Sequence, residues 1–106
     1  MNNKKKINLT LDCEIIRNLE IDDTNIDGET VMMDIENGEY YALNEVGTRV
    51  WELTKEKIKI NNIISTLLEE YDVNENKCRE SIISFIERLY CNDLIKFVWK
   101  IYWIRQ

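Results

Sequence analysis

The chain has 106 residues, a length that fits one domain with a core of modest size. A net charge of −6 excludes the concentrated positive field that non-specific nucleic-acid binding requires. With 44% hydrophobic and 32% charged residues, 3 Gly, no Pro and no apolar run near the ~20 residues of a membrane helix, it reads as a folded, soluble domain.

Residues 1–6 are polar and read as a loose terminus, with Lys4-Lys5-Lys6 as a solvated basic run. From Ile7 to Ile21 the pattern is that of extended structure. Ile7, Leu9 and Leu11 alternate with polar neighbours, and Cys13, Ile15 and Leu19 continue the apolar set, which predicts one or two strands. The segment Asp22 to Gly28 reads as a loop, because Asp, Asn and Gly supply turn bonds and tolerate positive φ.

Val31 to Leu43 reads as a hairpin turning at Asn37-Gly38. The two-residue type I′ loop usual for Asn-Gly pairs Asp34 with Tyr41 and Met32 with Leu43, which mixes a carboxylate into the apolar face. A three-residue loop, Glu36-Asn37-Gly38, pairs Met33 with Tyr41 and Val31 with Leu43 instead. One face then reads Val31, Met33, Ile35, Tyr41 and Leu43, all apolar, and this register is the expected one. Tyr40 and Ala42 point to the opposite face.

Three helices are predicted next. The first has Asn44 as N-cap, Glu45 at the positive end of the dipole and Val46, Val50, Trp51 and Leu53 as its buried stripe. Gly47 in its first turn costs about 1 kcal/mol relative to Ala, and either chance or a close approach of neighbouring backbone explains it. The second keeps the helical rhythm through Ile60, Ile63, Ile64, Leu67, Leu68 and Tyr71. The third starts at the N-cap Asn74 and runs to about Tyr90 or Cys91. Its apolar arc spans roughly 160°, wider than the ~100° that one contact face needs, with Ile83 and Tyr90 at one margin and Arg79 between them and the core. A core could absorb the whole arc, or one side could serve a ligand. The tail from Phe97 to Ile104 is largely apolar on both faces of an extended form. It is expected to dock as a further strand or to continue the last helix; contact with another subunit, a homodimer among the options, or with a partner enzyme is the alternative.

Strands first and helices after them predict an α+β, winged-helix-like domain of about three antiparallel strands and three helices, residues 7–96, followed by the apolar tail 97–106. Catalysis is the weakest reading: the chain has no His, the commonest general base, and its carboxylates form no matched pair. Cys13, Cys78 and Cys91 are odd in number, with no CxxC, and read as buried thiols in a reducing cytoplasm rather than as zinc ligands. The N-terminus has no apolar run after its charges, so no secretory signal is expected and the location is read as cytoplasmic.

The tract Asp27-Gly28-Glu29-Thr30-Val31, with Asn37-Gly38-Glu39-Tyr40-Tyr41-Ala42-Leu43-Asn44-Glu45-Val46-Gly47 running on to Trp51-Glu52-Leu53, resembles the PqqD family of small peptide-binding domains. The later half matches more loosely, through Ile64, Leu68 and Tyr71 and a last helix ending near Asn92-Asp93-Leu94-Ile95, where Asn92-Asp93 stands in place of a frequent Gly. The resemblance spans about residues 7–96 and spares the tail. It implies a non-catalytic adaptor that holds the leader of a ribosomally made precursor peptide. The leader pairs with the edge strand Tyr40, Tyr41, Ala42, Leu43 and fills a groove beside the third helix, expected at Arg79, Ile82, Ile83 and Ile86. The implied partners are the leader peptide and a separate maturation enzyme, a radical-SAM enzyme or a leader peptidase. A free-standing chain of this length looks most like the lasso-peptide type. No residues suggest binding of pyrroloquinoline quinone or an iron–sulfur cluster. A winged-helix DNA-binding regulator is the alternative, although the third helix sets Lys77, Arg79 and Arg88 against Glu75, Glu80 and Glu87. A structural subunit assembling through the tail is the third reading.

Overall fold

The computed structural model describes residues 11–98. In chain order these form β1 (Glu14–Arg17), β2 (Asp22–Ile26), β3 (Glu29–Asp34), β4 (Glu39–Leu43), α1 (Glu45–Leu53), β5 (Ile58–Lys59), α2 (Ile60–Glu70), α3 (Glu75–Cys91) and β6 (Ile95–Phe97). The class is α+β, with an antiparallel meander β2-β3-β4 ahead of the helices. A second antiparallel sheet, β5-β1-β6, gathers short strands from either side of α2 and α3. Ile7 to Thr10 and Trp99 to Gln106, including most of the predicted tail, lie outside the described residues.

Helix starts follow their caps. The Asn44 side chain accepts the Gly47 N–H at 2.8 Å and that of Asn74 the Lys77 N–H at 3.0 Å, each satisfying one of the donors that a helix start leaves open. Most of the predicted stripes are buried: Val50 and Trp51 on α1, Ile60, Ile63, Ile64 and Leu67 on α2, Cys78, Ile82, Ile86 and Leu89 on α3. Val46, expected in the buried stripe of α1, is exposed at the start of that helix instead. With Ile15, Met32, Leu43, Leu94 and Ile95 they make one core. Cys91, expected to be buried, is exposed.

The second sheet goes beyond the three or so strands expected, and the meander itself departs from expectation in two places. Asp22–Ile26 is a strand, not a loop; the tight turn falls at Asp27-Gly28, both with positive φ (54° and 87°), as a type I′ hairpin requires. The β3–β4 register also differs from the expected one. Met32 pairs with Tyr41 and Thr30 with Leu43 across a four-residue loop, Ile35 to Gly38. The inward face of β3 is therefore Thr30, Met32 and Asp34, all buried, and Val31, Met33 and Ile35 face outward.

Local partners make this register stable. Asp34 Oδ1 accepts the Asn37 N–H at 3.2 Å and Oδ2 accepts the Asn37 side-chain amide at 2.7 Å, so the carboxylate closes its own turn. The Thr30 N–H donates to Thr48 Oγ1 at 2.9 Å, which in turn donates to the Leu43 carbonyl at 3.4 Å. A buried polar group is costly only when it lacks such a partner. Tyr41 and Leu43 point inward and Tyr40 and Ala42 outward, as expected.

Candidate functional site

β4 is an edge strand: among the described residues it pairs with β3 alone. The ladder decides which of its backbone groups are open. In the two-residue hairpin the flanking pair Ile26–Glu29 exchanges hydrogen bonds, so residues 29, 31 and 33 turn their polar groups toward β2. Residues 30, 32 and 34 then face β4, opposite Leu43, Tyr41 and Glu39, with Thr48 Oγ1 standing between the Thr30 N–H and the Leu43 carbonyl. By alternation, Tyr40 and Ala42 present their N–H and C=O groups at the open edge.

Where this edge runs into α1, a cavity of about 280 Å³ opens between β4, α1 and α3. Ala42 and Leu43 form one side, Val46 and Gly47 the α1 side, and Ile82 and Phe85 the α3 side, with Ser81 and Arg88 also lining it. Gly47 allows the close approach. A Cβ there would stand 3.3 Å from Leu43 Cβ, 3.3 Å from Asn44 Oδ1 and 3.4 Å from Phe85 Cζ, so a side chain would press on the ring that walls the cavity. Arg88 lies over the Phe85 ring, 5.7 Å from its centroid, and sets a cation at the rim.

A second, almost wholly apolar cavity of about 350 Å³ continues from the first, sharing Val46, Ser81 and Ile82 and extending to Tyr71, Val73 and Cys78. Burial raises the Cys78 thiol above its ordinary pKa, so the group stays a neutral thiol in that wall.

Of the residues expected from sequence, Ala42, Leu43 and Ile82 meet at the first cavity, and Tyr40 stands on the same strand with its side chain 70% exposed. Tyr41 turns inward, donating from its hydroxyl to Glu39 Oε1 at 2.6 Å and, at 3.4 Å, to Asn92 Oδ1 at the end of α3. Ile86 is fully buried in the core. Arg79 and Ile83 line neither cavity; Arg79 is tied to Glu75 one turn back at 2.7 Å. The flank of α3 that faces β4 across the cavity is Ser81, Phe85 and Arg88, none of them among the site residues expected from sequence. Phe85 was visible as part of the wide apolar arc, on the margin opposite Ile83.

The hydrogen bond to Glu39, aided by burial, pushes the Tyr41 phenol up to about 12. A raised phenol contributes stability that is complete below the ordinary tyrosine pKa of about 10 and is lost as pH rises through about 12. An ultraviolet phenolate titration should therefore show one tyrosine that ionises only near pH 12. Glu39→Gln should bring it back toward 10; an unchanged curve would mean that the bond does not persist in solution.

The PqqD family, described as Coenzyme PQQ synthesis protein D, matches residues 29–95, the span from β3 to β6 that builds this edge and both cavities. None of the curated proteins compared matches the chain. Among solved structures, TbiB1 in complex with the TbiA(beta) leader peptide superposes with a TM-score of 0.71 at 25% identity, over 76% of this chain and 94% of that one. With the family match covering more than half of its residues, the chain belongs to the PqqD family.

Proposed function

We propose that this protein is a non-catalytic adaptor. It binds the leader region of a ribosomally synthesised precursor peptide by strand addition to β4 and presents it to a separate maturation enzyme. The observation that carries the reading is the open β4 edge with an apolar cavity at its end, in a PqqD-family chain that resembles a protein solved with a leader peptide.

A peptide on this edge bonds the outward groups of Tyr40 and Ala42 through its main chain, a sequence-tolerant source of affinity. Its side chains alternate between the two faces of the extended sheet. Those on the inner side reach the cavity lined by Leu43, Ile82 and Phe85, which selects for a large apolar residue. Arg88 at the rim offers a carboxylate a partner. The leader arrives disordered and loses conformational freedom on binding, so a Kd in the micromolar to high-nanomolar range is expected. The adaptor then acts by raising the local concentration of precursor at its partner, a leader peptidase or a radical-SAM enzyme.

The charge on α3 does not favour the DNA-binding alternative, since Glu75, Glu80 and Glu87 offset Lys77, Arg79 and Arg88.

Fluorescence polarisation of a labelled leader from the protein's own precursor tests the adaptor reading, with Ala42→Pro as the diagnostic variant. Proline at an edge position whose N–H faces solvent leaves the internal ladder intact and removes one donor from the docking edge. Saturable binding by the parent chain and a loss of about tenfold in a variant with unchanged circular dichroism are expected. Equal affinity in the two proteins would exclude strand addition at this edge.

A further inference from the structure

The outward face of β2-β3-β4 carries Val31, Met33 and Ile35 at alternate positions, and leader binding at the β4 edge does not use it. Thr24, Val31 and Ala42 form one cross-strand row, and Asp22, Met33 and Tyr40 the next. Ile26 ends the face at one turn and Ile35 sits in the other. Ile26, Ile35 and Tyr40 are 56%, 71% and 70% exposed, and Val31 and Met33 are half-buried. A contiguous apolar strip of this kind on a small domain marks an interaction surface.

Charge identifies the kind of partner. From Asn18 to Thr48 every charged side chain is a carboxylate; every Lys and Arg of the chain lies outside that span. Asp22 and Glu29 stand on the outward face itself, and Asp27 and Glu36 stand at the two turns. The strip is therefore an apolar band in an acidic frame. Two copies placed face to face would set carboxylates against carboxylates, which disfavours a symmetric dimer here. Nucleic acid and anionic lipid are repelled by the same field. The complement is a protein surface with an apolar projection ringed by Lys and Arg.

We propose that this face docks the maturation enzyme through such a basic-rimmed projection, at the same time as the leader lies on the β4 edge. The proposal rests on the adaptor reading and adds to it where the enzyme binds. A leader strand on β4 extends the sheet, so its outward side chains line up beside Tyr40 and Ala42. The docked enzyme then touches the apolar strip and one set of leader side chains together, and the two sites adjoin without competing.

The test uses the full chain, the labelled leader and the purified enzyme that matures the same precursor. Enzyme affinity is measured at low and high salt for the parent chain, for Ile26→Arg and for the double variant Asp22→Lys, Glu29→Lys, all at exposed positions. Leader polarisation on each variant is the internal control. Enzyme binding that weakens with salt, falls at least about tenfold in each variant and leaves leader affinity within about twofold is the expected result. Undiminished enzyme binding by the variants overturns the proposal. So does displacement of the leader by the enzyme, or a dimer of the parent chain that Ile26→Arg disperses. Leader binding without enzyme binding overturns the docking alone, whereas absence of leader binding removes the adaptor reading and the docking with it.

Discussion

Trp51→Ala should remove a large share of the stability of this domain. The ring is 1% exposed and lies in the core beside Val50. Truncating a buried Trp typically costs about 3–5 kcal/mol, against about 5–15 kcal/mol for the whole of a small domain. The position also holds three parts of the fold together. Its indole N–H donates to Asp23 Oδ2 on β2 at 2.6 Å. The Arg17 guanidinium on β1 lies 4.5 Å from the ring centroid, donates to the Trp51 carbonyl at 2.7 Å and pairs with Asp23 at 3.1 Å. Thr54 Oγ1 donates to the same carbonyl at 2.6 Å. Arg17 sits in this cluster at a cost, because desolvation, the largest influence on it, lowers its pKa, while the attraction of Asp23 works in the opposite direction. A melting temperature at least about 12 °C below that of the parent is expected by circular dichroism, given about 4–8 °C per kcal/mol at this size. Trp51→Phe keeps most of the apolar area and loses only the bond to Asp23, so its drop should be clearly smaller. If Trp51→Ala melted within about 2 °C of the parent, the cluster would not be the link between the two sheets.

What was readable in the sequence follows from how local each signal is. The caps Asn44 and Asn74 and the helical stripes act within a few residues of themselves, so α1, α2 and α3 appear where the pattern put them. The hairpin register was not readable by the same means. An all-apolar face argues for burial only if the polar residues opposite lack partners. Here Asp34 closes its turn with Asn37, and Thr30 reaches Thr48 eighteen positions away. The second contact has no periodic signature, and it lets a polar-looking face turn inward. β1, β5 and β6 are too short for alternation to show, and their pairing depends on contacts far apart in the chain. At the site, the edge Tyr40 to Leu43 was legible from its motif and its position at the end of the meander. The flank of α3 was not. Which margin of a wide apolar arc meets β4 depends on the rotation of the helix, and the seat of Phe85 against Gly47 is a tertiary contact. Tyr90 on the other margin packs instead on Phe97 of β6, with ring centroids 4.9 Å apart.

The junction of the two cavities is where the leader is most easily excluded without harming the fold. Ser81 lies on the exposed flank of α3, lines both spaces and buries no apolar surface of its own. Ser81→Trp places a large ring over cavities of about 280 and 350 Å³ and leaves the Ile82 and Ile86 side of the helix unchanged. Burying one large apolar side chain is worth about 1.5–3 kcal/mol, so denying the leader that place should weaken it roughly 10- to 150-fold. The added steric clash acts in the same direction. The effect should therefore exceed that of Ala42→Pro, which removes one hydrogen bond of about 0.5–1.5 kcal/mol. Melting of Ser81→Trp should stay close to the parent, because the new ring rests on apolar walls that are already open. The two variants together separate main-chain from side-chain recognition. Polarisation titrations in which Ser81→Trp binds as tightly as the parent would mean that the peptide lies along β4 without entering either cavity, and that selectivity comes from the outward face.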